Sequence, residues 1–230
     1  PHHTVSDVAL AGGGPIPRPG EISLAHNGVL FLDEMPEFSR HALEVLRQPL
    51  EDGVVRIARA QRTAVFPARF VLIGAMNPCP CGFLGDPRRE CRCTPTQIDR
   101  YAARLSGPLR DRIDLTVAVC AVASTELMSA EEAESTAAIR VRVETARARQ
   151  QHRAGATHAS TNGRLAPRAL RHVCALDARS ERLLQASAEQ LGLTARAFDR
   201  IRRVARTIAD LAGTDAVAYE HIAEALQFRG

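Results

Sequence analysis

Two acids at the end of an apolar run are the most chemically pointed feature of the sequence. Val29-Leu30-Phe31-Leu32 leads directly into Asp33-Glu34, and a short apolar run of this kind reads as a buried parallel strand. Acids at the C-terminal edge of such a strand lie where α/β proteins bind their ligands. The chemistry divides between the two. The first can hold Mg²⁺ directly or through water, and the second can polarise an attacking water as a general base. The plain alternative is a solvated Asp-Glu pair in a loop, and the four apolar residues ahead of the pair argue against it. Phe70-Val71-Leu72-Ile73-Gly74 reads as a second buried strand, and Asn77 follows it. A neutral amide at that strand end can orient water or touch a terminal phosphate, although Asn77-Pro78 is also an ordinary turn signal.

Cys79-Pro80-Cys81 and Cys91-Arg92-Cys93 form the second chemical feature. Four thiolates from two such pairs can complete a tetrahedral structural zinc site, closed to water and able to brace a loop. The spacing within each pair is tighter than the usual two-residue gap, and four reduced thiols in a surface loop is the competing reading. Cys120 and Cys174 stand alone and read as buried packing residues. The adjacent His2 and His3 do not converge on one ion and are given no role.

These residues need a scaffold. Ser39–Leu50 carries Leu43, Leu46 and Leu50 at helical spacing, and Pro49 is expected to end or distort that helix near its last turn. After Asp52-Gly53, the pieces Val54–Ile57 and Thr63–Phe66 read as two strands. Arg59-Ala60-Gln61-Arg62 forms the hairpin tip between them, with Arg56 nearby. Asp114–Val119 reads as a third buried strand. Strands alternating with helices predict an α/β layer architecture. Pro1–Gly20, rich in glycine and proline, reads as loop, and Gly12-Gly13-Gly14 lacks the Lys-Ser/Thr of a phosphate cradle. From Ser124 the character changes. Glu126, Glu131, Glu132 and Glu134 precede Arg140, Arg142, Arg147, Arg149 and Arg153, an order that suits a helix macrodipole and reads as a solvated linking helix. Gly155–Gly163 is a polar linker. Beyond it an all-α region is expected, with Leu183, Leu184, Leu191, Phe198, Ile201, Val204, Ile208 and Leu211 on its apolar face.

With 230 residues, 45% hydrophobic and 24% charged, the chain can form one large or two modest domains. That composition excludes collagen-like, low-complexity and wholly disordered classes. No apolar stretch approaches the ~18 residues of a membrane span, and no signal peptide opens the chain. Six cysteines in a chain without a leader point to a reducing, cytoplasmic setting. All 30 cationic residues are arginine, as a GC-rich genome would produce, so the chain cannot supply a Walker A loop, which needs lysine. A net charge of +4 permits nucleic acid as a partner without demanding it. With 4% aromatic residues and no tryptophan, a dedicated single-strand binder is disfavoured. Pro1 opens on what reads as mid-domain sequence, so a fragment is expected.

Gly28-Val29-Leu30-Phe31-Leu32-Asp33-Glu34-Met35, Ala75-Met76-Asn77-Pro78-Cys79 and Leu105-Ser106-Gly107-Pro108-Leu109-Arg110-Asp111-Arg112-Ile113-Asp114 resemble the magnesium-chelatase-like AAA+ ATPases, most closely their ComM/YifB group. Pro1-His2-His3-Thr4-Val5-Ser6, Ala195-Arg196-Ala197-Phe198, Val204-Ala205-Arg206-Thr207-Ile208-Ala209-Asp210-Leu211 and Ile222-Ala223-Glu224-Ala225-Leu226-Gln227 carry the same resemblance, in one order over almost the whole chain. The resemblance implies an α/β fold. Residues 1–123 would be the C-terminal part of an AAA+ P-loop-type core, a parallel sheet with an inserted β-hairpin. Residues 124–163 would be a linking helix and linker, and 164–230 an all-α lid of magnesium-chelatase type. The family's Lon-protease-like domain and Walker A loop lie upstream of this region.

Roles follow from the resemblance position by position. Asp33 and Glu34 would be Walker B, for Mg²⁺ and for water activation, and Asn77 would be sensor 1. Arg112 would be the arginine finger reaching a neighbouring subunit's γ-phosphate, and Arg196 would be sensor 2. The hairpin tip resembles the clade's pre-sensor-1 hairpin and the glycine-rich opening its helix-2 insertion, both of which face the channel in ring motors. Arg56, Arg59 and Arg62 are therefore candidates for phosphate contacts with DNA. ATP and Mg²⁺ are the implied cofactors, joined by one structural Zn²⁺ if the four cysteines take metal. The implied whole is a homo-oligomeric, hexameric ring motor on forked or branched DNA, a branch-migration helicase of natural transformation and recombination, with no membrane partner. A chelatase motor that inserts Mg²⁺ or another metal into a cofactor fits the same motifs. An ATP-independent, zinc-braced nucleic-acid or assembly module is the third reading. On its own, the chain is expected to lack ATPase activity.

Overall fold

Among the described residues, β-structure is short and confined to the first half of the chain. The computed structural model describes residues 1–59, 62–119, 122, 128, 133–154 and 161–229, which divide into two units, Pro1–Ile113 and Asp114–Gly230.

The first unit opens with α1 (Asp7–Ala11), capped by the Ser6 hydroxyl accepting from the Ala9 N–H at 3.1 Å. A two-residue ribbon of β1 (Gly12–Gly13) and β2 (Arg18–Pro19) follows, then α2 (Glu21–Leu24). The glycines here serve a backbone crossing. Gly12 has φ 99°, and a Cβ on it would lie 2.3 Å from the Arg18 carbonyl oxygen. Only glycine fits such an approach.

β3 (Val29–Leu32), β4 (Val54–Arg59), β5 (Arg62–Pro67) and β6 (Val71–Gly74) form two separate pairings: β3 with β6 in parallel, and β4 with β5 as an antiparallel hairpin. Arg59 faces Arg62 in the last register pair, so the hairpin closes over two residues, 60 and 61, that lie outside the described set. Leu30 and Leu32 pack inward with Leu10, Ile22, Leu43 and Leu46. Each such burial contributes roughly 1.5–3 kcal/mol.

Three expectations need correction in this half. β3 and β6 are dry on one face only: Val29, Phe31, Val71 and Ile73 stay 47–57% exposed, because no described residue covers the other face. The predicted helix over 39–50 is two helices, α3 (Arg40–Val45) and α4 (Arg47–Asp52), parted at Leu46. Pro49 has no N–H to give the Val45 carbonyl and its ring crowds that oxygen, so the break falls a turn earlier than expected. Pro49 itself sits comfortably in the first turn of α4, where a missing N–H costs nothing. Finally, Asp114–Val119 forms no strand. Leu115, Val117 and Val119 are exposed, and the Thr116 N–H instead donates to the Phe228 carbonyl at 2.9 Å. An apolar alternation becomes a strand only where a partner edge meets it.

The irregular stretch after Asn77 ends at α5 (Pro95–Ala102), which Thr94 opens with a full capping box to Gln97. α6 (Gly107–Arg110) completes the unit, capped by Ser106.

Among the described residues the second unit carries helices and no strand: α7 (Thr136–Ala154), α8 (Pro167–Val173), α9 (Ala178–Leu191), α10 (Ala195–Leu211) and α11 (Tyr219–Gln227). Asp177 caps α9 by accepting from the Ser180 N–H at 2.7 Å, Gly192 ends it in the left-handed region, and Thr194 starts α10. Leu170, Cys174, Leu184, Ile201 and Ile222 form the core. Leu191 and Leu211, expected on the apolar face, are exposed at their helix ends.

α7, expected as a solvated link, packs against α10. Its buried face is Ala146 and Gln150, with Arg153 reaching Asp210 of α10. Asp210 and Arg206 are both fully buried, the Arg206 Nη2 donating to Asp210 at 3.0 Å. Arg206 also donates to the Thr214 and Asp215 carbonyls at 2.6 and 2.5 Å, and Asn162 donates to Asp210 at 2.8 Å. Glu126, Glu131, Glu132 and Cys120 lie outside the described residues.

Candidate active site

The parallel pair fixes where the acids and Asn77 emerge. Leu32 is in register with Gly74. Two further hydrogen bonds carry the ladder past the strand ends, Ala75 N–H to the Leu32 carbonyl and Met35 N–H to the Ala75 carbonyl, each 2.9 Å. Asp33-Glu34 and Asn77 therefore leave neighbouring strands from one edge, and all three are exposed. Gly74 leaves room for the Met35 side chain at this strand end: a Cβ there would sit 2.6 Å from the Met35 sulfur.

Glu34 has φ 50°, ψ 44°, a left-handed conformation that costs a non-glycine residue roughly 1–2 kcal/mol. Its N–H donates to Asp33 Oδ1 at 3.0 Å, and the chain turns at once into a 3₁₀ turn, Met35–Glu37. The Glu34 carboxylate faces His3, Nδ1 to Oε2 3.3 Å. The opening Pro1-His2-His3 segment thus touches the acid pair, a contact that no spacing argument reveals because the two are 31 positions apart. Two acids and an amide at one strand edge can hold a divalent cation, orient water and meet an anionic group.

The arginines are distributed differently. Arg112 is mostly buried, and its guanidinium is held by Glu51 and, at 2.7 Å, by the Pro108 carbonyl. In the chain by itself it is an ion-paired arginine on the α4 side. Arg196 belongs to the helical unit, exposed in the first turn of α10. Arg56 on β4 pairs with Asp52 at 2.6 Å. Arg59 and Arg62 are described through their backbones, as the closing pair of the hairpin.

Asn77 runs directly into the cysteine cluster. The Sγ atoms of Cys79, Cys81, Cys91 and Cys93 lie within 4.8 Å of one another. Three separations are 3.4 Å (Cys79–Cys81), 3.7 Å (Cys79–Cys91) and 3.6 Å (Cys81–Cys91). Backbone N–H groups of Phe83 and Arg92 pull the Cys81 thiol down to about 6, while burial, above all, pushes Cys93 up to about 12. Two residues outside the sequence reading tie this region to the acids. Burial raises the pKa of the Tyr101 phenol, whose oxygen meets the backbone of Asn77. Arg104 donates to the Pro36 carbonyl at 3.1 Å and to Glu37 at 2.6 Å.

A parallel strand pair with acids at its C-terminal edge, an inserted hairpin and a following helical unit is the arrangement of a partial AAA+ core with a helical lid region. The chain belongs to the magnesium chelatase family: the family described as magnesium chelatase, subunit ChlI, matches residues 1–127, and its C-terminal counterpart matches 133–229. Over its whole length the chain is 46% identical to Competence protein ComM of Haemophilus influenzae, covering 44% of that protein. It is 43% identical to the uncharacterized protein YifB of Escherichia coli, again covering 44%. The magnesium-chelatase subunit ChlI of Bigelowiella natans is 34% identical over 95 residues, 41% of this chain and 23% of that protein. The chain thus spans less than half the length of the relatives it matches end to end. Among the described residues no helix is long and apolar enough to cross a membrane.

Proposed function

We propose that this chain is part of an ATP-hydrolysing AAA+ ring motor that acts on branched DNA. The observation that carries the reading is the end-to-end similarity to a competence protein, joined to exposed acids and an amide at one edge of a parallel pair. In this reading Asp33 holds Mg²⁺, whose charge would neutralise the β- and γ-phosphates. Glu34 takes the proton of the attacking water, and Asn77 orients that water or the γ-phosphate. Arg112 gives up Glu51 for the γ-phosphate of a neighbouring subunit, and Arg196 answers from the helical unit of the assembled site. Arg56, Arg59 and Arg62 of the hairpin meet DNA phosphates without reading sequence. Since the chain has no lysine, the Walker A lysine has to come from another part of the whole protein.

A chelatase motor is the second reading, favoured by the match to the Bigelowiella natans chelatase subunit. ATP hydrolysis by the full-length protein, measured with and without a four-way DNA junction, separates the two. Strong stimulation by the junction is expected. Hydrolysis indifferent to DNA refutes the DNA motor in favour of a chelatase, and no hydrolysis with Walker A present leaves an assembly module.

A further inference from the structure

The cysteine cluster has two arms, and both return to the candidate active site. Cys79 follows Asn77 by two residues, and Cys93 immediately precedes Thr94, the cap of α5. From that cap, α5 carries Tyr101 back to the Asn77 backbone. The turn after α5 carries Arg104 to Pro36 and Glu37, directly beyond Glu34. Along the chain, one knot of thiols therefore joins the Asn77 loop to the helix whose far end reaches Asn77, Pro36 and Glu37.

The donor set fits a tetrahedral ion. A zinc–sulfur bond of ~2.3 Å places ligand sulfurs ~3.8 Å apart, and the recorded separations are 3.4, 3.7 and 3.6 Å. Those separations are far too long for a disulfide, whose sulfurs lie ~2.05 Å apart. Cys79 is fully buried and the other three are half-buried. Four thiolates so close repel one another unless a cation lies among them. Soft thiolate ligands in this geometry select zinc or an iron–sulfur centre, and four protein ligands leave no position open for water.

We propose that Cys79, Cys81, Cys91 and Cys93 hold one structural zinc ion, and that this ion fixes the Asn77 loop and the Met35–Glu37 turn at the end of the parallel pair. On binding, each of the four thiols gives its proton to solvent and its sulfur lone pair to the ion. The metal takes no part in chemistry. Its consequence for hydrolysis rests on the reading of Glu34 and Asn77 given above, whereas the metal and the positioning stand without that reading.

The test uses the full-length protein. Elemental analysis after purification without chelator is expected to find one zinc per chain. Replacing zinc by cobalt is expected to give the thiolate-to-cobalt charge-transfer and visible d–d bands of a tetrahedral four-sulfur site. Hydrogen–deuterium exchange is then compared for metal-loaded protein, protein stripped by chelator under reductant, and stripped protein given zinc again. Stripping is expected to cost peptides spanning 33–38 and 75–81 their protection, and zinc to restore it, with the helical unit unchanged. Absence of zinc, iron in its place, or unchanged exchange in those two peptides overturns the proposal. The strip-and-restore comparison needs no variant, so misfolding of Cys91→Ser cannot obscure it. Normal hydrolysis by zinc-loaded Asn77→Ala would refute the nucleotide-site reading and leave the metal proposal intact.

Discussion

Asp210→Asn tests the most consequential packing in the helical unit. The substitution keeps the shape of the side chain and removes its charge, leaving the fully buried Arg206 guanidinium without its carboxylate. The neutral amide also faces Arg153 and the Asn162 donor, both of which now lack an anionic acceptor. Removing one partner of a buried ion pair costs about 3–5 kcal/mol. The Thr214 and Asp215 carbonyls still receive Arg206, which argues for the lower end, and Arg153 for the upper. At about 4 °C or more per kcal/mol for a unit of this size, 3 kcal/mol lowers Tm by at least ~12 °C. Urea unfolding followed by far-ultraviolet circular dichroism reads the loss as a lower midpoint at unchanged slope. Because the pair is dry, added salt does not rescue it. In an Arg206→Met background the same change is expected to cost less by about 1–3 kcal/mol, the signature of direct coupling. A loss below ~1 kcal/mol in the original background, or full additivity, refutes the account of a structural charge network.

Further outcomes follow for the candidate site and its scaffold. In the assembled full-length protein, Glu34→Gln and Arg112→Ala are each expected to retain ATP and abolish hydrolysis, while mixing the two restores sites that combine intact halves. Failure of every mixture to regain activity argues against a role for Arg112 between subunits. Arg59→Glu together with Arg62→Glu is expected to weaken DNA binding and flatten its log–log salt dependence by about 2, and an unchanged slope moves the DNA contact elsewhere. The Ser180 backbone N–H, donating to Asp177 at 2.7 Å, holds its carboxyl below the usual range. Its folded value lies under its unfolded one, so its contribution is complete above the ordinary carboxylate pKa and fades as pH falls through the lowered value. Acid unfolding of Asp177→Asn, which keeps the cap acceptor, is expected to lack that part of the pH dependence.

What could be read from the sequence was what local chemistry dictates. The runs ending at Asp33 and Gly74 announce strands because four apolar residues bounded by turn formers have few other uses, and the paired strands around Arg59–Arg62 are equally local. Asp114–Val119 misled because its alternation is real but no described strand meets it. α7 misled in the opposite sense: its packed face is alanine, glutamine and arginine, which reads as solvent-facing. Arg206 and Asp210 look like an ordinary surface pair one turn apart, and only the fold buries them. His3 reaches Glu34, and Arg104 reaches Glu37, across distances in sequence that no periodicity encodes.

The left-handed backbone at Glu34 sets the requirements of the fold against those of the chemistry. Glycine adopts φ 50° without penalty, so Glu34→Gly is expected to raise the stability of the first unit, by up to ~1 kcal/mol. The same change removes the proposed base. A library of variants sorted for resistance to heat or protease would therefore enrich glycine at position 34, and a library sorted for hydrolysis would discard it. Sorting one library both ways would expose this position as a conflict between the two demands, with no substrate or partner needing to be known beforehand.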